Sequence, residues 1–247
     1  MTRTCLAGYH LVMAALKLIT FDLDNTLWPV DEVIRRADRR CADWIAERYP
    51  EAAVHMNRDT MIRIRDQLLR DKPGYIHNLT TLRRDALAQG FREAGYCTNE
   101  AAKLADQSFR VFHDARNEVV FFPGALEVLE MLADSYQLGA LSNGNADLKK
   151  IGIHDLFDFH HSAESVGRRK PEPDMFLAAL KSAGVSAYQA VHVGDHPEED
   201  IHAARLQGFH AVWANLLDQR WPDHLDQHPH RIHNLHELSD LLAMIDD

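Results

Sequence analysis

From residue 123 onward, the sequence alternates between helical segments and short apolar segments, and this alternation restricts the fold more than any other feature. The predicted helices are GALEVLEMLADS, PDMFLAALKSAG and EEDIHAARLQG, and they precede the apolar segments YQLGALSNG, AVHVGD and HAVWAN. Helices that alternate with short strands form crossover units, in which neighbouring strands run parallel. The sequence therefore predicts an α/β protein with a Rossmann-like parallel sheet.

A separate all-helical block is predicted between residues 31 and 118. It follows the apolar run LKLIT at 16–20, which has the composition of a strand covered on both faces. Four helices are expected in the block: DEVIRRADRRCADWIAERY, RDTMIRIRDQLLRD, LTTLRRDALAQGFREAG and NEAAKLADQSFRVFHDARNE. The first strand has no helix partner nearby unless this block is an insertion. We therefore expect a core at 1–30 and 119–247, interrupted by a helical cap at 31–118.

The net charge, the cysteines and the first residues of the chain indicate its partners and its cellular compartment. The chain has 247 residues and a formal net charge of −10, which disfavours nucleic acid and anionic membranes. Cys5, Cys41 and Cys97 are scattered without a CxxC pair, as expected for reduced thiols in a cytoplasm. The first dozen residues make a poor signal peptide, and Met13 is an alternative native start. These features predict a cytoplasmic protein.

Polar side chains stand where the predicted strands end, at the edge where parallel sheets bind ligands. They are Asp22 and Asp24 at the end of the first strand, Ser142 and Asn143 at the end of the next, and Asp195 at the end of a later one, with Asp200 five residues further on. Lys170 lies in a loop between Asn143 and Asp195. Several carboxylates cannot all stay ionised in one cleft unless positive charge joins them. Mg²⁺ is the natural partner, because it takes one or two carboxylates together with phosphate oxygens and water. The sequence therefore predicts a Mg²⁺ site, with Lys170 supplying a second positive charge.

Four short segments carry a resemblance to a known family. DLDNT at 22–26, SNG at 142–144, Lys170 within KPEPDMF, and GDHPEED at 194–200 resemble, in this order, the four motifs of the haloacid dehalogenase (HAD) superfamily. The resemblance covers the whole chain, including a helical cap inserted after the first strand. Around YIHNLTTLRRDAL and the motifs, the chain is similar to bacterial phosphatases of flavin mononucleotide and related riboflavin-pathway phosphates.

The resemblance implies catalytic roles for five residues. Asp22 matches the nucleophile, and Asp24 matches the general acid/base. Ser142 matches the phosphate-binding hydroxyl, and Asn143 would offer its backbone N–H. Lys170 matches the lysine that holds the nucleophile and the phosphate together.

The resemblance also implies a metal site. Its ligands would be the Asp22 carboxylate, the Asp24 backbone carbonyl and Asp195. Asp200 matches the second acid of the last motif, which would orient Lys170 or metal-bound water. Thr26 matches the threonine of the first motif and is expected to be structural.

Simpler interpretations remain open for some of these residues. Acidic residues at strand ends are often turn residues or helix caps, and Asp200 could cap the helix IHAARLQG. Nine of the sixteen histidines fall between His192 and His236, where a solvated segment is expected rather than a zinc site. The cap aromatics could stack on a substrate, although core packing is the simpler expectation; they are Trp44, Tyr49, Tyr75 and Phe91.

Together these features predict a Mg²⁺-dependent phosphatase of small phosphorylated metabolites that works through an aspartyl-phosphate. One rival is a 2-haloacid dehalogenase, but halide leaves without a proton, so that enzyme has no use for Asp24. A phosphomutase would share the same acids. A non-catalytic binding module is the rival of another class, and the complete set of acids with Lys170 argues against it.

Overall fold

The strands form one six-stranded parallel sheet, as the alternating pattern predicts. The computed structural model describes residues 15–225 and 230–246. Its strands are β1 (Leu18–Phe21), β2 (Gln137–Ser142), β3 (Phe159–Ser162), β4 (Ala190–Gly194), β5 (His210–Ala214) and β6 (His230–Ile232). Their order is β3–β2–β1–β4–β5–β6, with every neighbouring pair parallel. Because the winding direction reverses beside β1, the ligand-binding crevice of such a sheet opens at the carboxyl end of β1.

In the chain, β1 is followed by a group of five helices. These are α1 (Val30–Arg48), α2 (Pro50–His55), α3 (Arg58–Asp71), α4 (Leu79–Glu93) and α5 (Thr98–Arg116), which we call the helical block. The block packs around an apolar cluster of its own, centred on the buried rings of Phe91 and Phe112. The four predicted helices are confirmed, whereas the short α2, which begins at Pro50, was not predicted.

The aromatic residues of the block mostly pack against one another. Tyr49 contacts Trp44, Phe91 and Tyr96, with ring centroids 5.7, 6.0 and 6.1 Å away. This packing confirms the core interpretation for Trp44, Tyr49 and Phe91. Tyr75 lies apart from them, and its hydroxyl donates a hydrogen bond to Asp85 at 2.5 Å.

Helices cover both faces of the sheet. The remaining α-helices are α6 (Ala125–Ala133), α7 (Leu148–Ile151), α8 (Ala163–Val166), α9 (Asp174–Ala183), α10 (Ala203–Leu206) and α11 (Glu237–Asp246). A π-helical turn, Pro197–His202, leads into α10, and 3₁₀ turns occupy Pro73–His77, His154–Leu156 and Ala187–Gln189. Buried residues of α6 and α11 share one apolar cluster with β1, and those of α9 and α10 share another with the opposite face.

Several elements at the edges of the sheet were not predicted. They are β3, with the sequence FHHS, the three-residue β6, and α11. Two of the four β3 residues are histidines, so the strand lacks the apolar pattern that the prediction relied on. The expectations for residues 1–12, Met13 and Cys5 concern positions outside the described residues. Within the described residues, every helix is too short or too polar to cross a membrane.

Candidate active site

A tight turn after β1 sets the positions of Asp22 and Asp24. Asn25 has a φ of 64°, a left-handed conformation that asparagine adopts more readily than most residues. Its side-chain Oδ1 accepts a hydrogen bond from the backbone N–H of Val30 at 3.0 Å. The backbone N–H of Leu27 donates to the carbonyl of Leu23 at 2.8 Å and closes the turn. Both carboxylates therefore stand at the carboxyl end of the central strand.

Lys170 joins Asp22 to Asp200. Its Nζ lies 2.8 Å from Asp22 Oδ1, 2.5 Å from Asp200 Oδ1 and 2.7 Å from the carbonyl oxygen of Leu141. Its backbone is fixed by the Asn143 side chain, which accepts from Lys170 N at 2.8 Å and donates to Lys170 O at 3.1 Å. The predicted lysine therefore reaches Asp22, and Asn143 holds the lysine through its side chain.

Both carboxylate oxygens of Asp200 are already in hydrogen-bond contact with protein groups. Its Oδ1 also contacts His192 Nε2 at 3.2 Å, and its Oδ2 accepts from the backbone N–H of His196 at 2.9 Å. The helix cap at this place is instead His196, whose Nδ1 accepts from two following backbone amides. Gly194 lies so close to Asp200 that any Cβ on it would overlap the carboxylate. Asp200 therefore supports Lys170, and the capping interpretation is wrong.

A cluster of carboxylate oxygens fits a divalent cation. Asp22, Asp195 and Asp200 each offer one oxygen, and these atoms all lie within 4.8 Å of one another. Carboxylate oxygens are the ligands that Mg²⁺ prefers. Because both oxygens of Asp200 already have partners, Asp22 and Asp195 are the residues best able to bind a metal, as the resemblance implied.

The charges in this cluster perturb one another strongly. Burial, together with Asp200 and Asp195, raises the pKa of Asp22 well above its usual range, although Lys170 opposes the shift. Burial and the neighbouring Asp200 raise the pKa of Asp195 to about 7. Burial alone would lower the pKa of Lys170, but Asp200 and Asp22 outweigh it and raise that pKa. One ammonium does not balance three carboxylates, so a cation would favour the ionised forms of Asp22 and Asp195.

The two predicted hydroxyl residues lie beside the carboxylates. Thr26 is buried, and its Oγ1 donates to Asp22 Oδ2 at 3.3 Å. Ser142 ends β2, and its Oγ accepts the backbone N–H of Gly144 at 3.0 Å. A Cβ on Gly144 would stand 2.6 Å from Asp24 Oδ2 and 3.3 Å from Ser142 Oγ. The second motif and Asp24 therefore meet at Gly144, where there is room only for glycine.

Asp24 has a partner that the sequence analysis missed. Arg116, the last residue of α5, donates through Nη2 to both carboxylate oxygens, at 2.9 Å to Oδ1 and 2.6 Å to Oδ2. Trp28 Nε1 donates to Oδ1 at 2.7 Å. The Arg116 side chain is 1% exposed and that of Asp24 is 21% exposed. A signal for Arg116 was present, since it continues the stripe of buried residues that includes Ser108 and Phe112 at a spacing of four.

A polar cavity lies between the helical block and the loop after β2. It has a volume of about 470 Å³ and is lined by Thr80 and His113 from the block and by Asn145 and His160 from the core. Burial lowers the pKa of both His113 and His160, so both imidazoles are neutral at physiological pH. Asn145 also accepts a hydrogen bond from Arg116 Nε at 3.2 Å. The cavity is thereby connected to Asp24 through two side-chain contacts.

The histidines near the C-terminus have ordinary protein partners. His224 contacts Glu198 at 2.7 Å and His233 contacts Asp218 at 3.7 Å. In the described part of the chain, the three-residue metal cluster is the aspartate cluster above and contains no histidine. His228 lies outside the described residues.

Comparison with known proteins identifies the family. The family model of haloacid dehalogenase-like hydrolases matches residues 16–208. The chain belongs to this family. It is therefore a hydrolase, and the resemblance of its four motifs is confirmed at the level of the family.

Its relatives include phosphatases and a structure described as a dehalogenase. The 5-amino-6-(5-phospho-D-ribitylamino)uracil phosphatase YigB of Escherichia coli strain K12 is 29% identical over 89% of this chain and 94% of its own. A glyceraldehyde 3-phosphate phosphatase of Methanocaldococcus jannaschii is 25% identical over 92% and 97%. The crystal structure of a 2-haloacid dehalogenase from Pseudomonas syringae pv. Tomato DC3000 shares 42% identity, with a TM-score of 0.88, over 93% and 99%.

Proposed function

We propose that this hydrolase is a Mg²⁺-dependent phosphatase of small phosphate monoesters. The observation that carries the proposal is the contrast between Asp22 and Asp24, two carboxylates of one turn in different surroundings. The side chain of Asp22 is 10% exposed and is paired with Lys170, which suits a nucleophile. Asp24 keeps 21% side-chain exposure at the cleft, which suits a group that exchanges protons with substrate and water.

The proposed reaction has two steps. In the first, an oxygen of Asp22 attacks phosphorus, the bond to the leaving oxygen breaks, and Asp24 donates a proton to that oxygen. In the second, Asp24 accepts a proton from the water that attacks phosphorus, and inorganic phosphate leaves Asp22. Lys170 and the Ser142 hydroxyl would neutralise and bind the phosphoryl oxygens.

The metal site belongs to the same proposal. Asp22, Asp195 and the backbone carbonyl of Asp24 would hold Mg²⁺, which supplies charge neutralisation for the transferring phosphoryl group. The cluster of carboxylate oxygens supports this assignment. Residues 31–118 would form the cap that covers the cleft and selects the substrate.

A riboflavin-pathway phosphate is the proposed substrate. The similarity to YigB supports this choice, since that relative is named for a ribitylaminouracil phosphate. The cavity beside Asn145 also supports it, because neutral imidazoles and amides can bind the hydroxyls and ring nitrogens of such a leaving group. The proposal places the phosphate at Ser142 and the organic part in this cavity.

The dehalogenase alternative is not better supported. Halide leaves without a proton, so that reaction has no use for the carboxylate of Asp24, which is paired here with Arg116. A phosphomutase would need to return the phosphoryl group to its substrate, and no described contact favours that outcome over water attack. All of the acids and Lys170 lie together, which argues against a silent binding module.

The test is a substrate panel assayed with and without Mg²⁺. It contains 5-amino-6-(5-phospho-D-ribitylamino)uracil, flavin mononucleotide, glyceraldehyde 3-phosphate, phosphoserine and 2-chloropropionate. We expect metal-dependent release of inorganic phosphate, fastest from a riboflavin-pathway substrate. Full activity in excess chelator would contradict the mechanism, and halide release without phosphate release would favour the dehalogenase. Faster turnover of another phosphate would overturn the substrate but keep the phosphatase.

A further inference from the structure

Arg116 connects three parts of the molecule with one guanidinium group. Its backbone belongs to the last turn of α5 in the helical block. Its Nη2 donates to Asp24 after β1, and its Nε donates to Asn145 Oδ1 after β2 at 3.2 Å. The contact with Asp24 spans 92 residues of sequence. Arg116 is therefore the residue through which the helical block reaches the first motif.

The Asp24 carboxylate depends on this contact for its orientation. Its Oδ1 accepts from both Trp28 and Arg116, whereas its Oδ2, among the described residues, accepts from Arg116 alone. A carboxylate held only at Oδ1 could rotate about that one hydrogen bond. Arg116 therefore fixes the direction in which Oδ2 points.

Oδ2 is the oxygen that faces the proposed phosphate site. Arg116 Nη2 and Ser142 Oγ lie 3.1 and 3.3 Å from the point that a Cβ on Gly144 would occupy, and Asp24 Oδ2 lies 2.6 Å from it. The ion pair is thus next to the hydroxyl that is proposed to bind phosphate. A small rotation of the carboxylate there would change its distance to the leaving oxygen and to the attacking water.

Stability alone is a poor explanation for this arginine. The side chain is 1% exposed, and its Nη1 is buried without a hydrogen-bond partner among the described residues. A buried charged group with an unsatisfied donor is costly, and replacing both members of such an ion pair by apolar side chains is often neutral or stabilising.

We propose that Arg116 is a positioning residue that aims the Asp24 carboxylate for proton transfer. This inference rests on the proposed phosphatase function. It makes acid–base catalysis depend on the placement of the helical block, because Arg116 moves with α5. Other contacts tie the block to the same loops, including Asn145 Nδ2 with Thr80 at 3.3 Å and Arg169 N with His77 at 3.2 Å.

The test separates the two chemical steps in Arg116→Lys and Arg116→Ala. With 4-nitrophenyl phosphate the leaving group needs no proton, so the first step should survive and the second should slow. A misplaced catalytic group costs about 10²-fold, so we expect steady-state turnover of Arg116→Ala to fall by about that factor. Rapid mixing should show a burst of nitrophenol near one equivalent per site, and KM should fall together with turnover, so that kcat/KM changes little. Arg116→Lys, which keeps the charge, should lie between this variant and the parent.

Three controls exclude a merely structural effect. Arg36→Met removes a guanidinium from the same junction, where it contacts the backbone carbonyls of Ala115 and Glu118, and should behave like the parent. Guanidinium ion should restore phosphoenzyme hydrolysis in Arg116→Ala, and sodium chloride of equal ionic strength should not. In an Asp24→Asn background, Arg116→Ala should add little further loss, because the two residues act as one unit.

Three results would overturn the inference. If the parent hydrolyses phosphate esters but folded Arg116 variants show no burst and lose both steps equally, Arg116 is only a structural tie. Additive losses with Asp24→Asn would lead to the same conclusion. If the parent releases no phosphate with any metal, the proposed function fails and this inference fails with it.

Discussion

Asp22 and Asp24 are two residues apart in sequence, yet different regions of the molecule hold them. Asp22 is held from within the α/β core by Lys170, with the two side chains 10% and 1% exposed. Asp24 is held from the helical block by Arg116 and keeps 21% exposure. The core pair is fixed by the sheet itself, whereas the second pair exists only while the block is in place.

This difference matches what the two proposed roles require. A nucleophile must keep the same position in every step, and the contacts of Lys170 with Leu141 and Asp200 provide that rigidity. An acid–base group must face the leaving group, which the block is proposed to help bind. If Arg116 positions Asp24, that group is complete only when block and core are together.

The largest expected effect comes from breaking the core pair. Lys170→Met should abolish turnover and lower the free energy of unfolding by about 3–5 kcal/mol, because it leaves two carboxylates buried without a counter-charge. Arg116→Met should cost clearly less, since water can reach Asp24. Urea unfolding followed by circular dichroism measures both values. Equal losses in the free energy of unfolding would contradict the expectation that removing Lys170 costs more than removing Arg116.

The next effect concerns the acid–base carboxylate itself. Asp24→Asn should lower turnover about 10²–10⁴-fold, the usual contribution of general acid–base catalysis. The loss should be larger for an alkyl phosphate, which needs a proton on its leaving oxygen, than for 4-nitrophenyl phosphate. Steady-state and rapid-mixing assays on the two substrates measure this ratio. Unchanged turnover of both substrates would show that the Asp24 carboxylate has no catalytic role.

The site residues that belong to the α/β core could be predicted from the sequence, whereas Arg116, which belongs to the helical block, could not. Asp22, Ser142 and Asp195 follow strands that the crossover pattern predicts, and parallel strands bring their ends to one edge. Arg116 lies on a helix whose approach to Asp24 depends on how the block packs, which no local pattern specifies. Its place on the apolar stripe of α5 was the available signal, because a buried arginine needs a partner.

The edge strands β3 and β6 could not be predicted from the sequence for a related reason. β3 is half-buried along its whole length and is paired on one side only, to β2. Its side chains, including His160 and His161, therefore lack the continuous apolar character of the central strands. β6 has only three residues, so its pairing with β5 is too short to leave a pattern.

Stabilisation by Mg²⁺ tests the proposed metal ligands of the α/β core. At a Mg²⁺ concentration of about 100 times Kd, binding should stabilise the parent by about 2.7 kcal/mol. Asp195→Asn should lose this stabilisation, because it removes a charged ligand from the cluster. Glu199→Gln is the matched control, since Glu199 accepts from Asn143 at 2.7 Å but lies outside the cluster. Thermal unfolding with Mg²⁺ and with EDTA measures the shift, and an unchanged shift in Asp195→Asn would exclude Asp195 as a ligand.

The smallest effect concerns His192, which supports Asp200 from within the sheet. Burial lowers the pKa of His192 below its usual 6.5, although Asp200 opposes the shift. As pH falls through about 6.5, the unfolded chain gains a proton at this imidazole and the folded chain does not, so stability should fall. His192→Gln should show a flatter profile between pH 7 and pH 5, and the exposed His202→Gln should keep the parent slope. Equal slopes in all three proteins would exclude His192 as the source.

The central claim is that Asp22, the carboxylate held by the core, is the residue that receives the phosphoryl group. Asp24→Asn protein can be mixed with 4-nitrophenyl phosphate and Mg²⁺, quenched in acid, digested and sequenced by tandem mass spectrometry. The account predicts a phosphoryl group on Asp22, and none in the same experiment with Asp22→Asn or without metal. A phosphoryl group on any other residue, or metal-dependent phosphate release by Asp22→Asn, would contradict it.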